Sequence, residues 1–403
     1  MRIAGIVCEY NPFHNGHKYQ IKRLREAGYD CIVGVMSGNY TERGEMAIAD
    51  KYTRAKAAVD DSVDLILELP FPYSAMSAEG FARAGVHILS SIGVDTISFG
   101  SESADIELLS RAARIIVTEE FKEAYSQKKA DGSASGYFDT LSEFLGEKNA
   151  LRSNDILGVA YMAAINELGA KVDVLPIKRV GLQYNDSVLK CVVNPSATAL
   201  RAAMEDNSLG FFSEFEDYIP KEALSVLQKA QNEMLCPVYV DPIDREILSF
   251  FKLMTPAEIV ARAKIRSGGG RFICEDGCGL LERICNAAKS AKSIDSLLEA
   301  SHNSRYTDAR VRRVMLFSLL GVTDTFSRSL PDFTTVLAAN ATGRSLLANI
   351  RKCETLPVIT KPADAPDGAL LDISRLSDLL YASAMRGVSD SDYFIKAHPF
   401  MAE

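Results

Sequence analysis

From Met1 to about Val180, short apolar, β-rich runs alternate with amphipathic stretches, a pattern that predicts βαβ units laid into a parallel sheet. Candidate strands are Arg2–Val7, Cys31–Met36, Leu65–Leu69, Thr96–Gly100 and Val172–Lys178, with helices beginning near His17, Ala49, Ser77, Asp105 and Asn154. Phe81, Ala84, Val86 and Leu89 recur close to helical spacing between Ser77, which suits an N-cap, and Gly93, which suits the following turn. Five parallel strands with helices on both faces make a doubly wound α/β sheet. In such sheets ligands bind beyond the carboxyl ends of the strands, where the strand order reverses. Chemistry is therefore to be sought in the segments directly after the strands.

The pattern changes along the chain. Phe121 to Asn149 is polar and lysine-rich, broken by Asp131-Gly132-Ser133, and reads as a helical insertion at about 120–150. From Pro220 to about Leu320 helical patterns dominate, and Pro331 to Glu403 mixes Pro, Asp and Gly with short apolar runs such as Leu356-Pro357-Val358-Ile359. The expected division is a sheet domain over 1–210 and a mostly helical C-terminal region over 211–403 with some irregular or α/β closing structure, the boundary falling within 206–220. No internal repeat is visible.

With 403 residues, 47% of them hydrophobic and 24% charged, the chain can build two or three domains with an ample core. The N-terminus reads as a strand and not as a signal peptide, and no run of about eighteen apolar residues marks a membrane span, so a cytoplasmic protein is expected. Eight cysteines scattered over this length suggest reduced thiols. The spacing of Cys274, Cys278 and Cys285 does not match a paired Cys-x2-Cys zinc site, so no metal is expected there. A net charge of −8 argues against coating nucleic acid through global electrostatics, so any RNA contact must be local.

The first strand runs into Cys8-Glu9-Tyr10, and Asn11-Pro12-Phe13 turns the chain into a helix that buries Ile21 and Leu24 and ends at Gly28. His14 and His17, three residues apart, bring both imidazoles to one side of the first helical turn. Free backbone N–H groups and the helix dipole favour a phosphate there, and Gly16 permits close approach. The histidines can then stabilise charge growing on an α-phosphate and on departing pyrophosphate. Two of only five histidines fall in this turn; His87, His302 and His398 read as ordinary surface or packing residues. Later, Ser196-Ala197-Thr198-Ala199-Leu200-Arg201 opens a helix after Asn194-Pro195: Ser196 suits a cap, and Arg201 adds a fork for phosphate oxygens beside Thr198. Plain capping is the competing reading.

His14-Asn15-Gly16-His17 resembles the His-x-Gly-His motif of the nucleotidyltransferase and class I aminoacyl-tRNA synthetase superfamily, and Ser196–Arg201 resembles its Ser-x-Thr-x-Ile-Arg element. The resemblance implies a Rossmann-like fold. Further segments narrow it: Ser37-Gly38-Asn39-Tyr40-Thr41-Glu42-Arg43-Gly44-Glu45, Phe99-Gly100-Ser101-Glu102, Ser153–Gly158, Ile177-Lys178-Arg179 and Asp64–Phe71. Together they resemble the bacterial tRNA(Met) cytidine acetate ligase family across essentially the whole chain.

That resemblance implies a ligase that activates acetate with ATP to acetyl-adenylate, then passes the acetyl group to N4 of the wobble cytidine of elongator tRNA(Met), with Mg2+ accompanying the nucleotide. It implies an ATP loop of Val7-Cys8-Glu9-Tyr10-Asn11-Pro12-Phe13-His14-Asn15-Gly16-His17-Lys18-Tyr19-Gln20, with Gly100, Asn154 and Arg179 also touching nucleotide and His14, His17 and Arg201 catalytic. A turn glycine, a helix cap and a solvated charge are the alternatives for Gly100, Asn154 and Arg179. Glu42, Met46 and Tyr52 depart from the family pattern, which has Gln, Pro and Trp there. Lys51 and Arg54, one helical turn apart, read as facing phosphate or RNA, or as a solvated helix face.

Activating a carboxylate needs alignment and charge neutralisation more than a base, whereas the attacking amine must lose a proton. No residue is assigned to that proton from the sequence. For RNA, Arg305, Tyr306, Arg310 and Arg313 stand out within Ser304–Arg313: Thr307 suits a cap, Arg310 and Arg313 share a helix face, and Tyr306 offers a stacking surface. An amphipathic helix with a solvated basic face competes with that reading, and Ser267–Arg271 reads as a flexible connection that could touch RNA. Two other functions remain open: a small-molecule adenylyltransferase, and a non-catalytic nucleotide- or RNA-binding protein.

Overall fold

The computed structural model describes residues 1–403 except 131–135, 148–150, 180–196, 207–214, 268, 273–278, 304, 351–355, 389–396 and 403. Strands β1 (Ile3–Cys8), β2 (Cys31–Ser37) and β3 (Leu65–Leu69) are buried along their whole length, as expected of apolar runs with helices on both faces. With β4 (Thr96–Ser101) and β5 (Asp173–Lys178) they form parallel ladders in the order β5-β4-β1-β2-β3. The chain steps outward from β1 to β3, then returns to lay β4 on the other side of β1. The order therefore reverses between β1 and β4, which places the ligand crevice at their carboxyl ends.

The helices lie close to their expected starts. His14 caps Asn15–Glu26, Asp50 caps Lys51–Asp61 through the N–H groups of Tyr52 and Thr53, and Asp105 caps Ile106–Ile115. Ala78–Ser91 buries Phe81, Ala84, Val86 and Leu89 against the sheet. The insertion is a helical pair, Glu119–Ala130 and Gly136–Leu145, joined by edge-on rings of Phe121 with Tyr137 and Phe144. No helix among the described residues is long and apolar enough to cross a membrane.

The C-terminal part is mostly helical up to Asp308–Leu320, then re-enters the sheet. Strand β6 (Thr334–Ala339), fully buried, adds antiparallel to β3 with Leu65 opposite Ala339 and Leu67 opposite Val336. The short strands β7 (Val358–Ile359) and β8 (Phe400–Met401) flank it. Asn340 clamps the junction, its main-chain N–H to the Asp64 carbonyl at 3.0 Å and its side chain to the Asp64 carboxylate at 2.9 Å. The run Thr-Thr-Val-Leu-Ala-Ala is too short and uniform to separate strand from helix by periodicity, so only its partner β3 decides it.

Candidate active site

Beyond β1 the chain makes a tight turn. Tyr10 adopts a left-handed φ of 44°, a conformation that costs a tyrosine about 1–3 kcal/mol and gathers at functional sites. Asn11 anchors the turn by accepting from the Ile48 N–H at 2.9 Å, while Tyr10 and Phe13 bury their rings edge to face beneath it. Asn15 points away from the crevice, its side chain to the Asp217 carbonyl and its N–H to the Tyr218 carbonyl, and so pins the helix start to the C-terminal part.

His14 and His17 form a reciprocal cap. His14 Nδ1 accepts from the Gly16 N–H at 3.0 Å, and His17 Nδ1 accepts from the His14 N–H at 3.2 Å. The rings stack with centroids 3.8 Å apart. An imidazole whose Nδ1 accepts carries its proton on Nε2, so both side chains are neutral donors. Burial, reinforced by the charges of Arg179 and Arg201, lowers His14 to about 3; burial, His14 and Arg179 hold His17 well below the usual range. Gly16 has an internal reason to be glycine: a Cβ there would lie 2.8 Å from His14 Cε1.

Across the crevice, Glu102 organises the end of β4. Its carboxylate accepts from Asn154 Nδ2 at 2.5 Å and from the Asp155 N–H at 3.2 Å, and lies 3.8 Å from Arg179 Nε. Asp155 is tied in turn to Ser101 and Ser103. The Arg179 stem passes 3.4 Å from where a Gly100 Cβ would stand. The Asn154 reading as a simple cap misses this carboxylate; its signal was Glu102 two residues beyond Gly100 at a strand end.

These two walls enclose a cavity of about 140 Å³ lined by Val7, Cys8, Glu9, Tyr10, His14, Gly16, His17, Tyr19 and Gln20 from one side, and by Gly100, Asn154 and Arg179 from the other. A neighbouring cavity of about 280 Å³ shares Glu9, His14, His17, Asn154 and Arg179 and reaches Asn11, Glu42 and Ala197. Pro12, Phe13, Asn15 and Lys18 line neither. Glu9 and Glu42 are both pushed above the usual carboxylate range by burial.

Arg201 reaches back to this turn. Its Nη1 donates to the Asn11 carbonyl at 2.9 Å, and Nη2 lies 3.4 Å from Thr198 Oγ1 and 3.5 Å from Glu45. Arg201 and Thr198 line an adjoining cavity of about 320 Å³. Ser196, the proposed cap, lies outside the described residues, as do Cys274 and Cys278; Cys285 is a buried free thiol.

Lys51 and Arg54 face neither phosphate nor RNA nor solvent, which corrects the sequence reading. Arg54, 1% exposed, donates to the main-chain carbonyls of Ala49, Glu9, Ser37 and Gly38, holding the ends of β1 and β2 in place. Lys51 is buried between Glu68 at 2.7 Å and Asp378 at 2.8 Å. The desolvating cover comes from Ala369–Ala384, far along the chain and invisible to local pattern.

In the basic C-terminal segment, Thr307 caps Asp308–Leu320. Arg305 is exposed, but Tyr306 is 5% exposed, with the guanidinium groups of Arg305 and Arg310 at 5.7 and 5.5 Å from its ring. Arg313 donates to the Glu42 carbonyl and carboxylate, and Arg312 pairs with Glu45 at 3.1 Å. Of the departures from the family pattern, Glu42 thus meets an arginine, while Met46 and Tyr52 pack on the core.

A doubly wound sheet with paired histidines at the first helix start defines a nucleotidyl-transfer protein, and the HIGH Nucleotidyl Transferase model matches residues 1–393. Within that class the chain belongs to the tRNA(Met) cytidine acetate ligase family. It is 32% identical over 380 residues to the tRNA(Met) cytidine acetate ligase of Acetivibrio thermocellus, covering 90% of this chain and 89% of that one. It is 31% identical over 421 residues to that of Caldanaerobacter subterraneus, covering 100% of both. The crystal structure of Thermotoga maritima TmcAL without ligand superposes with a TM-score of 0.86 at 30% identity over 100% of both chains, and the form bound with alpha-thio ATP with 0.85 at 29%.

Proposed function

We propose that this chain is an ATP-dependent ligase that activates acetate to acetyl-adenylate and transfers the acetyl group to N4 of the wobble cytidine of elongator tRNA(Met), forming N4-acetylcytidine in the cytoplasm. The observation that carries this reading is the single crevice in which His14, His17, Gly100, Asn154 and Arg179 meet. MgATP is the substrate bound there, its phosphates at the helix start and its nucleoside towards Gly100 and Asn154. Two neutral Nε2–H donors and the Arg179 cation oppose the charge that grows on the α-phosphate as acetate attacks and pyrophosphate departs. Arg201 steadies the turn and adds positive charge without needing to touch phosphate first. The C-terminal part receives the tRNA, with Arg305 and Arg310 supplying charge to its backbone.

The test incubates the protein with ATP, labelled acetate and elongator tRNA(Met). Acetyl label enters the RNA with pyrophosphate release, and both are lost in His14→Ala and His17→Ala. Pyrophosphate release with a phosphorylated small molecule and no RNA label supports a small-molecule adenylyltransferase instead; ATP binding without turnover supports a non-catalytic role.

A further inference from the structure

Transfer of an acetyl group from acetyl-adenylate to an amine forms an N–C bond and breaks the C–O bond to the AMP phosphate. AMP leaves as the anion, and the proton shed by the amine needs an acceptor. The histidines cannot be that acceptor. Each uses Nδ1 to take a backbone N–H and carries its own proton on Nε2, so neither presents a lone pair to the crevice. Lys178 and Arg179, the cations lining it, are donors.

Among the carboxylates of the crevice wall, most are occupied. Both Glu102 oxygens accept hydrogen bonds, from Asn154 and from the Asp155 N–H. Asp155 spends one oxygen on Ser101 and Ser103 and the other on the Arg152 N–H. Glu42 accepts from Arg313 at 3.1 Å, so its carboxylate is turned to and occupied by that guanidinium. Glu9 differs. It lines both parts of the crevice beside His14 and His17, its Oε1 accepts the Glu42 N–H at 2.8 Å, and its Oε2 receives no hydrogen bond from any described residue.

Resting on the acetyl-transfer reading above, we propose that Glu9 is the general base of that step, taking the amine proton on Oε2 as nitrogen attacks the acyl carbon. Its position is fixed from both ends. Arg54 holds the Glu9 carbonyl at 2.5 Å, and the Glu42 N–H orients the carboxylate, which pairs with no cation among the described residues. Burial raises its affinity for a proton, opposed in part by the Glu42 N–H and the charge of Arg201. The residue sits directly beyond β1, at the switch point where the adenylate lies.

The deciding experiment separates the two steps with the full-length protein: acetate-dependent ATP–pyrophosphate exchange for the first, and single-turnover transfer from preformed acetyl-adenylate to tRNA for the second. Glu9→Gln keeps an oxygen for the Glu42 N–H. Transfer in this variant falls about 100-fold or more, the usual worth of a general base, and by at least about tenfold more than exchange does. The wild-type transfer rate climbs with pH and levels off as a carboxyl group ionises; Glu9→Gln loses that limb, and Glu9→Asp regains part of it. Transfer within about threefold of wild type, an equal loss in both steps, or a pH limb that survives in Glu9→Gln overturns the assignment, the last pointing to the AMP phosphate as its own base. A wild-type protein that neither exchanges nor acetylates sinks the acetyl-transfer reading itself, which is a separate result.

Discussion

Arg313 of the Asp308–Leu320 helix donates to both the main-chain carbonyl and the carboxylate of Glu42, a residue 271 positions earlier that lines the crevice beyond β1. The neighbouring Arg312–Glu45–Arg201 contacts run in the same direction. The basic helix thus braces the loop after β2, and Glu42 in turn orients Glu9 through its N–H.

Removing that brace reaches the first chemical step. Arg313→Ala lowers acetate-dependent ATP–pyrophosphate exchange in the absence of tRNA and costs about 1–3 kcal/mol of stability, the range for a broken charged hydrogen bond. Arg305→Ala leaves exchange alone and weakens tRNA binding with a shallower salt dependence. If Arg313→Ala alters only tRNA affinity, the helix is an RNA surface and not a brace.

Gly16→Ala puts alanine into a helix, where it gains up to about 1 kcal/mol, but drives its Cβ against the His14 ring. His14 must swing off its cap, a loss of about the same size. Thermal stability therefore barely moves while adenylate formation drops by 100-fold or more, an order-of-magnitude figure for lost transition-state donors. Melting and exchange measured on one preparation distinguish this from general damage.

Both histidines bind protons less readily folded than unfolded, His14 being lowered to about 3 from an ordinary 6.5. The stability they permit is complete above pH 6.5 and is lost as pH falls through that value towards the folded one. Each contributes a slope of about 1.4 kcal/mol per pH unit within that window. His14→Asn, which keeps an acceptor for the Gly16 N–H, removes one of the two contributions. Urea midpoints between pH 4 and 7 should show a shallower acid limb in the variant, and an unchanged limb refutes it.

Lys51 neutralises only one of the two buried carboxylates it touches, and burial raises Asp378 to about 6 despite that lysine. Lys51→Met leaves both acids uncompensated and costs about 3–5 kcal/mol. Asp378→Asn retains acceptor and shape while removing the surplus charge. Because the native acid binds a proton more readily than the unfolded one, parent stability declines on its account as pH rises from near 4 through 6, and the variant lacks that decline. At pH 8 the variant is expected to match or exceed the parent in chemical denaturation.

What the sequence determined by itself is what local pattern can specify. Apolar runs buried on both faces dictated β1 to β4, with the half-exposed β5 at the sheet edge, and histidines three apart with glycine between them dictated the reciprocal cap, whose bonds close within one helical turn. The place of the crevice was legible because a parallel sheet concentrates its ligand groups at strand ends. Tertiary structure alone decided the rest. The strand character of Thr334–Ala339 depends on β3, and the burial of Lys51 and Arg54 and the pairing of the half-buried Arg313 with Glu42 depend on chain segments that cover or face them from elsewhere in the fold. A charged side chain on a helix looks solvated in any local window; what desolvates it is a surface brought together only when the chain folds.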